Sequence, residues 1–168
     1  MLDAAIIPDL RTEYIAAMAH AVTPVTIVTT NGAAGRFGLT VSAVTSVTAD
    51  PPMLLVCINR RNPAAAAITA NGIFAVNYLA VENRGLAESF AGRPSEGAAY
   101  DFSNAGWRDG LHGLPLLDSE LAGFECETQS WHDAGTHRIF IGKVLAATRG
   151  GSAPLIYCNR SFARVAPY

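Results

Sequence analysis

Short β-branched runs alternate with tight turn signals along most of the chain, and three stretches carry helical spacing instead. Residues 8–21 (PDLRTEYIAAMAHA) put Leu10, Tyr14, Ala17, Met18 and Ala21 on one face, and Pro8 and Asp9 suit a helix start. Residues 24–30 (PVTIVTT) read as a strand, Asn31 to Gly35 as a turn, and 36–48 as one long second strand, so 24–48 is expected to form a hairpin. Asp50-Pro51-Pro52 ends it, and the apolar run 53–59 (MLLVCIN) reads as a buried strand. Asn62-Pro63 opens a helix over 63–70, with Asn as N-cap, Pro at the first turn and Gly72 just past the end. Residues 73–79 read as a strand, 82–91 as a short helix and 92–115 as an irregular excursion. Strands are expected over 121–131 and 137–148 about a turn at 133–135, then over 154–158 and 161–165. About seven strands joined mostly by tight turns, with three helices, predict a mainly β protein: a closed or partly closed barrel with helices outside.

Composition narrows the class. The chain has 168 residues, half of them hydrophobic and 15% charged, which fits one globular domain and excludes a disordered chain. A net charge of −2 argues against nucleic acid as the main partner. No run of apolar residues is long enough for a membrane span, and no charged segment precedes an apolar stretch at the start, so no secretory signal is expected. Cys57, Cys126 and Cys158 lie far apart in apolar stretches without a C-x-x-C pair, which reads as reduced thiols in a cytoplasmic protein. So few charges also suggest surface hidden in an oligomer.

Two local features have ligand chemistry. By the period of two, Thr40, Ser42, Ser46 and Thr48 share one face of the strand, either as a hydroxyl row for a polar ligand or as a solvated face. The start of the 63–70 helix follows Arg60 and Arg61 and would suit a phosphate, or be an ordinary capped helix beside two solvated arginines. Gly32, Gly35 and Gly38 are spaced G-x-x-G-x-x-G between strands, which reads as a hairpin rather than a dinucleotide fingerprint. No pattern supports a metal site or an activated nucleophile. Trp107 and Trp131 read as packing residues.

Residues 23–62 carry TPVTIVTT, then NGAAGRFGLTVSAVTSVTADPPMLLVCINRRN; IFAVNYL, LAESFAG, DAGTHRIFIGKV and PLIYCNRSFARV follow in order. This string resembles the flavin reductase-like domain family over about residues 10–165, within a single domain spanning 1–168. It is most similar to the small reductase components of two-component flavin monooxygenases. The resemblance implies an FMN-binding split β-barrel of Greek-key type with a few flanking helices, forming a homodimer. It implies NAD(P)H:flavin oxidoreduction with FMN or FAD and with NADH or NADPH, the reduced flavin diffusing to a partner monooxygenase. Carried over by motif, Thr40, Val41, Ser42 and Ala43 would line the isoalloxazine. Thr45 and Ser46 would lie just beyond, where the strand passes the ribityl chain, and Cys57, Ile58 and Asn59 would hold the ribityl side. Asn62 would take the phosphate, although relatives often have Ser there. Asn77, Phe90 and Arg93 would close the pocket, His137 would stand against the nicotinamide, and Tyr157 and Arg160 would reach the flavin from the C-terminal segment. A retained flavin reducing another acceptor, such as a corrinoid, and a non-catalytic flavin- or haem-binding barrel are the alternatives.

Overall fold

The computed structural model describes residues 9–103, 106–118 and 121–166; Pro8 lies outside them. Its centre is an antiparallel seven-stranded sheet in the order β3-β2-β6-β9-β10-β5-β4. The strands are β2 (Thr26–Thr30), β3 (Phe37–Val41), β4 (Val44–Ala49), β5 (Pro52–Asn59), β6 (Ile73–Tyr78), β9 (Ala122–Ala134) and β10 (His137–Arg149). Beside it, β1 (Thr23–Pro24) joins β11 (Leu155–Cys158) and β12 (Ser161–Arg164) in a three-stranded sheet.

The expected long strand over 36–48 is two strands. It breaks at Ser42–Ala43, and its halves lie at opposite edges of the seven-stranded sheet. Three Cα–Cα steps separate Val41 from Val44, a reach of at most about 11 Å. The two edges must therefore approach each other, and the sheet must curl. The Cys57 N–H donates to the Ala43 carbonyl at 3.0 Å, and Val44 pairs with Val56, which fastens the returning chain. The result is a barrel split between β3 and β4.

The interior follows from alternation. On β5, Leu54, Val56 and Ile58 point inward; they meet Val28, Leu39, Phe74, Val76 and Phe140 from the other strands. Each such side chain contributes about 1.5–3 kcal/mol when fully buried. Helix α2 (Pro63–Asn71) sends Ala64, Ala65 and Ile68 into the same cluster. Its ends are those expected: the Asn62 side chain caps Ala64, Pro63 opens the first turn, and Gly72 ends it at φ 72°, where only glycine sits without strain. A second cluster joins Val25, Ile27, Leu79 and Leu117 to Ala87 and Phe90 of α3 (Arg84–Phe90). Strand β2 is thus covered on both faces.

Other departures have plain causes. Helix α1 (Leu10–Ala19) is capped by Asp9, but none of its residues is buried among the described residues, and Leu10, Tyr14, Ile15 and Met18 stay exposed. The 92–115 excursion contains β7 (Trp107–Asp109), which pairs with β8 (Pro115–Leu117); Trp107 packs on Phe90 and Phe102 as a core residue. Trp131 does not: it is exposed, with the Arg138 guanidinium 3.8 Å from its ring centre. The β9–β10 hairpin runs to Ala134 and resumes at His137, longer on both arms than expected. No described helix is long and apolar enough to cross a membrane.

Candidate active site

A cleft of about 300 Å³ opens at the split in the barrel. The end of β3 and the Ser42–Ala43 link form one wall, the end of β5 forms the other, and His137 and Asn62 close the rim. Leu39, Thr40, Val41, Ser42, Ala43, Cys57, Ile58, Asn59, Asn62 and His137 all line it. Nine of these ten were expected at the ligand from the sequence; Leu39 was not.

Their side chains do not all face the cleft. The Thr40 hydroxyl donates to the Ala87 carbonyl at 2.7 Å and ties β3 to α3. Val41 and Ile58 are buried, so they offer the cleft mainly backbone. Ser42 and Ala43 are exposed, and their N–H groups make no backbone hydrogen bond among the described residues. The Cys57 thiol is half-buried, and burial pushes its pKa up, which keeps it neutral beside the cleft. Asn59 Oδ1 accepts from the Arg61 N–H at 3.0 Å and holds the turn into α2. His137 pairs with Asn59 across the β5–β10 ladder, its Nδ1 2.9 Å from the Thr136 hydroxyl.

Six of the expected site residues lie apart from the cleft or are already engaged within the chain. Thr40, Ser42, Ser46 and Thr48 do not share one strand face, because the chain breaks at Ser42–Ala43. Thr45 is exposed, its hydroxyl 3.5 Å from the Ser46 carbonyl. Ser46 lines a different, apolar trough of about 480 Å³ with Met53, Leu54, Tyr78 and Phe124. Asn62 stands at the cleft, but its Oδ1 caps the Ala64 N–H and its carbonyl accepts from Ala65. With Pro63 lacking an N–H, the first turn of α2 has little left for a phosphate. Asn77 is fully buried away from the cleft: Nδ2 donates to the Ile27 and Pro115 carbonyls, and Oδ1 accepts from the Leu117 N–H. Phe90 is a core residue, 4.9 Å from Phe102 between ring centres. It lies beneath Gly38, where a Cβ would come within 2.6 Å of its ring. Arg160 sits in the left-handed region at φ 59° in the β11–β12 turn and lines no part of the cleft. Arg93 and Tyr157 fare better: they line an adjoining cavity of about 250 Å³ that shares Thr40, Val41 and Ser42 with the cleft.

Sequence reasoning missed a clamp beside the site. Arg138 forks onto Asp133 with Nε–Oδ1 2.7 Å and Nη2–Oδ2 3.1 Å, and donates from Nη1 to the Thr69 hydroxyl on α2 at 2.9 Å. The guanidinium holds the Asp133 carboxyl below its usual range. Asp133 and Arg138 face each other in the hairpin register, so correct strand bounds would have paired them.

The donor set suits a flavin. Its ring is flat with hydrogen-bonding edges, and the cleft offers the Ser42 and Ala43 backbone N–H groups, two asparagines and the small side chains of Ala43 and Cys57. A split barrel with such a cleft defines a class, and residues 18–166 match the flavin reductase like domain; the chain belongs to that family. Among its relatives, it is 42% identical over 156 residues to "FMN reductase (NADH) RutF" of Stutzerimonas stutzeri, covering 92% of this chain and 88% of that one. It is 38% identical over 151 residues to the 4-hydroxyphenylacetate 3-monooxygenase reductase component of Pseudomonas aeruginosa, covering 89% and 88%. The solved Streptomyces globisporus NADH:FAD oxidoreductase SgcE6 superposes with a TM-score of 0.85 at 30% identity, over 97% of this chain and 98% of that one.

Proposed function

We propose that this member of the flavin reductase family oxidises NAD(P)H and passes the hydride to FMN or FAD, releasing reduced flavin to a separate monooxygenase. The observation that carries the reading is the meeting of Thr40–Ala43, Cys57–Asn59 and His137 in one cleft at the split. Relatives named for FMN reduction with NADH and for a monooxygenase reductase component support it. Bound flavin would supply the hydride acceptor and reduced nicotinamide the donor. The chain's own work is positional. The Ser42 and Ala43 N–H groups are donors for negative charge developing on a bound ring edge. The walls fix the ring plane, and alignment of two reactants contributes about 7–11 kcal/mol in well-oriented reactions. The neutral Cys57 thiol adds no competing charge. His137, at the rim, orients the nicotinamide and is not needed as a proton donor.

The reading includes a homodimer in the cytoplasm. The unburied α1 face, with Leu10, Tyr14, Ile15 and Met18 exposed, supports a partner subunit, and three free cysteines support a reducing compartment.

The test is oxidation of NADH and NADPH by the purified protein with and without FMN, FAD and riboflavin. Turnover that requires added flavin is expected. A protein that retains bound flavin and shows no turnover with any pair would overturn the reductase reading and favour a binding role. His137→Ala should raise KM for the pyridine nucleotide roughly tenfold, a loss of about 1.4 kcal/mol, with kcat changed much less. Unchanged KM and rate would remove His137 from that role.

A further inference from the structure

The β9–β10 loop that delivers His137 is two residues long, Gly135 and Thr136, between the paired Ala134 and His137. Gly135 sits at φ 57° and Thr136 stays out of the left-handed region, the pattern of a type II′ hairpin turn. The loop is pinned to its neighbours. The Thr136 carbonyl accepts from the Arg60 N–H at 3.0 Å, which ties the loop to the end of β5. Asp133, just before it, is held by the Arg138 fork and by Arg60 Nε at 3.4 Å. The backbone that carries the His137 imidazole is therefore fixed within the chain.

The imidazole has one hydrogen bond among the described residues: Nδ1 lies 2.9 Å from the Thr136 hydroxyl. Both residues are exposed, so packing does little to hold the ring. No carbonyl or carboxylate among the described residues is bonded to that hydroxyl, which leaves Nδ1 as the acceptor for its proton. Threonine is stiff at χ1 because its β-carbon is branched, so little entropy is lost in aiming the hydroxyl. The two ring nitrogens are not equivalent, and the bond made at one decides where the ring proton sits. A hydroxyl donating to Nδ1 leaves that proton on Nε2, the one ring nitrogen still open to a ligand in the cleft. Nε2–H is then a donor, which suits a carboxamide oxygen such as that of nicotinamide.

We propose that Thr136 is the positioning residue for His137. Its hydroxyl donates to Nδ1, fixes the ring's orientation and keeps the ring proton on Nε2 for the carboxamide of a reduced nicotinamide in the cleft. The inference rests on the flavin reductase reading and on the role given there to His137, and it deepens both.

The first measurement needs no ligand. Nitrogen-15 NMR of histidine-labelled protein separates an N–H ring nitrogen from an acceptor one, and His137→Gln assigns the His137 signals. At about pH 8, where imidazole is neutral, wild type and Thr136→Ser should carry the proton on Nε2 and a hydrogen-bonded Nδ1. Thr136→Val, which keeps the branched shape, should lose the bonded Nδ1 signal. A proton on Nδ1 in wild type, or an Nδ1 signal unchanged by Thr136→Val, overturns the proposal. The second measurement is a double-mutant cycle on KM and kcat for NADH with FMN. Thr136→Val should raise KM about threefold to fivefold, as loss of one hydrogen bond does, with kcat changed much less. Thr136→Ser should recover most of that loss. In the His137→Ala background, Thr136→Val should add nothing. The same loss in both backgrounds would mean that the threonine only shapes the turn, and overturns the proposal; so does a serine that restores nothing. Wild type that oxidises no NADH with any flavin overturns the reductase reading instead, and the ring signals still decide the Thr136–His137 pair.

Discussion

Strands β2 and β4 are built from nearly the same residues, TIVTT and VTSVTA, yet every residue of β2 is buried and none of β4 is. Composition does not decide this; place in the sheet does. β2 lies between β3 and β6, with core clusters on both faces, whereas β4 is an edge. The threonines behave accordingly. On β2, the hydroxyls of Thr26, Thr29 and Thr30 donate to the carbonyls of Val41, Pro115 and Ile73 at 2.6, 2.7 and 2.7 Å. On β4, the Thr45 and Thr48 hydroxyls reach carbonyls only at 3.5 and 3.3 Å, in water. A hydroxyl in a strand is therefore a core fastener or a solvated group, depending on its neighbours.

The strongest test of the buried side is Asn77, which pairs with Ile27 of β2. Asn77→Leu should cost about 3 kcal/mol or more, because it strands the Leu117 N–H and weakens two carbonyls in a buried site. Thermal unfolding checks it, and a loss below about 1 kcal/mol would mean the site relaxes or hydrates. A matched pair sharpens the contrast: Thr26→Val should cost about 1–1.5 kcal/mol, and Thr45→Val should stay within about 0.5 kcal/mol. Equal losses in denaturant unfolding would break the comparison.

The smallest effect belongs to the exposed hairpin tip. The Asp133 carboxyl has its pKa lowered first by the Arg138 hydrogen bond. Its stabilisation is therefore full above the unfolded carboxylate pKa, near 3.9, and fades as pH falls through the lower folded value. Asp133→Asn should flatten the acid limb of the stability curve below about pH 4 and leave the neutral region little changed. An acid limb that keeps its slope would show that other carboxylates set it.

What could be read from the chain follows the same division. The ends of α2 were legible because Asn62, Pro63 and Gly72 each carry a backbone reason for their place. The residues of the cleft were legible through the resemblance. The break at Ser42–Ala43 was not: TVSAVTSVT contains no glycine or proline, and β-branched residues suit either side of the break. The β7–β8 hairpin was hidden by a stretch rich in Gly, Pro and Ser, and the burial of Asn77 by its polar type. The exposure of α1 could not be read from spacing, since an apolar stripe does not say whether its cover lies in the same chain.

The Ser42–Ala43 link gives the site a thermodynamic character of its own. The same few residues join the two free edges of the sheet and line the cleft, so closing the barrel and filling the cleft draw on one equilibrium. A ligand that touches both β3 and β5 acts as a removable cross-link between the β3 edge and the strand next to the β4 edge. Occupancy then raises the cost of opening the seam by an amount that grows with the logarithm of ligand concentration. A carrier that takes up and gives up its ligand at such a seam is firmest when loaded and loosest at the moment of release.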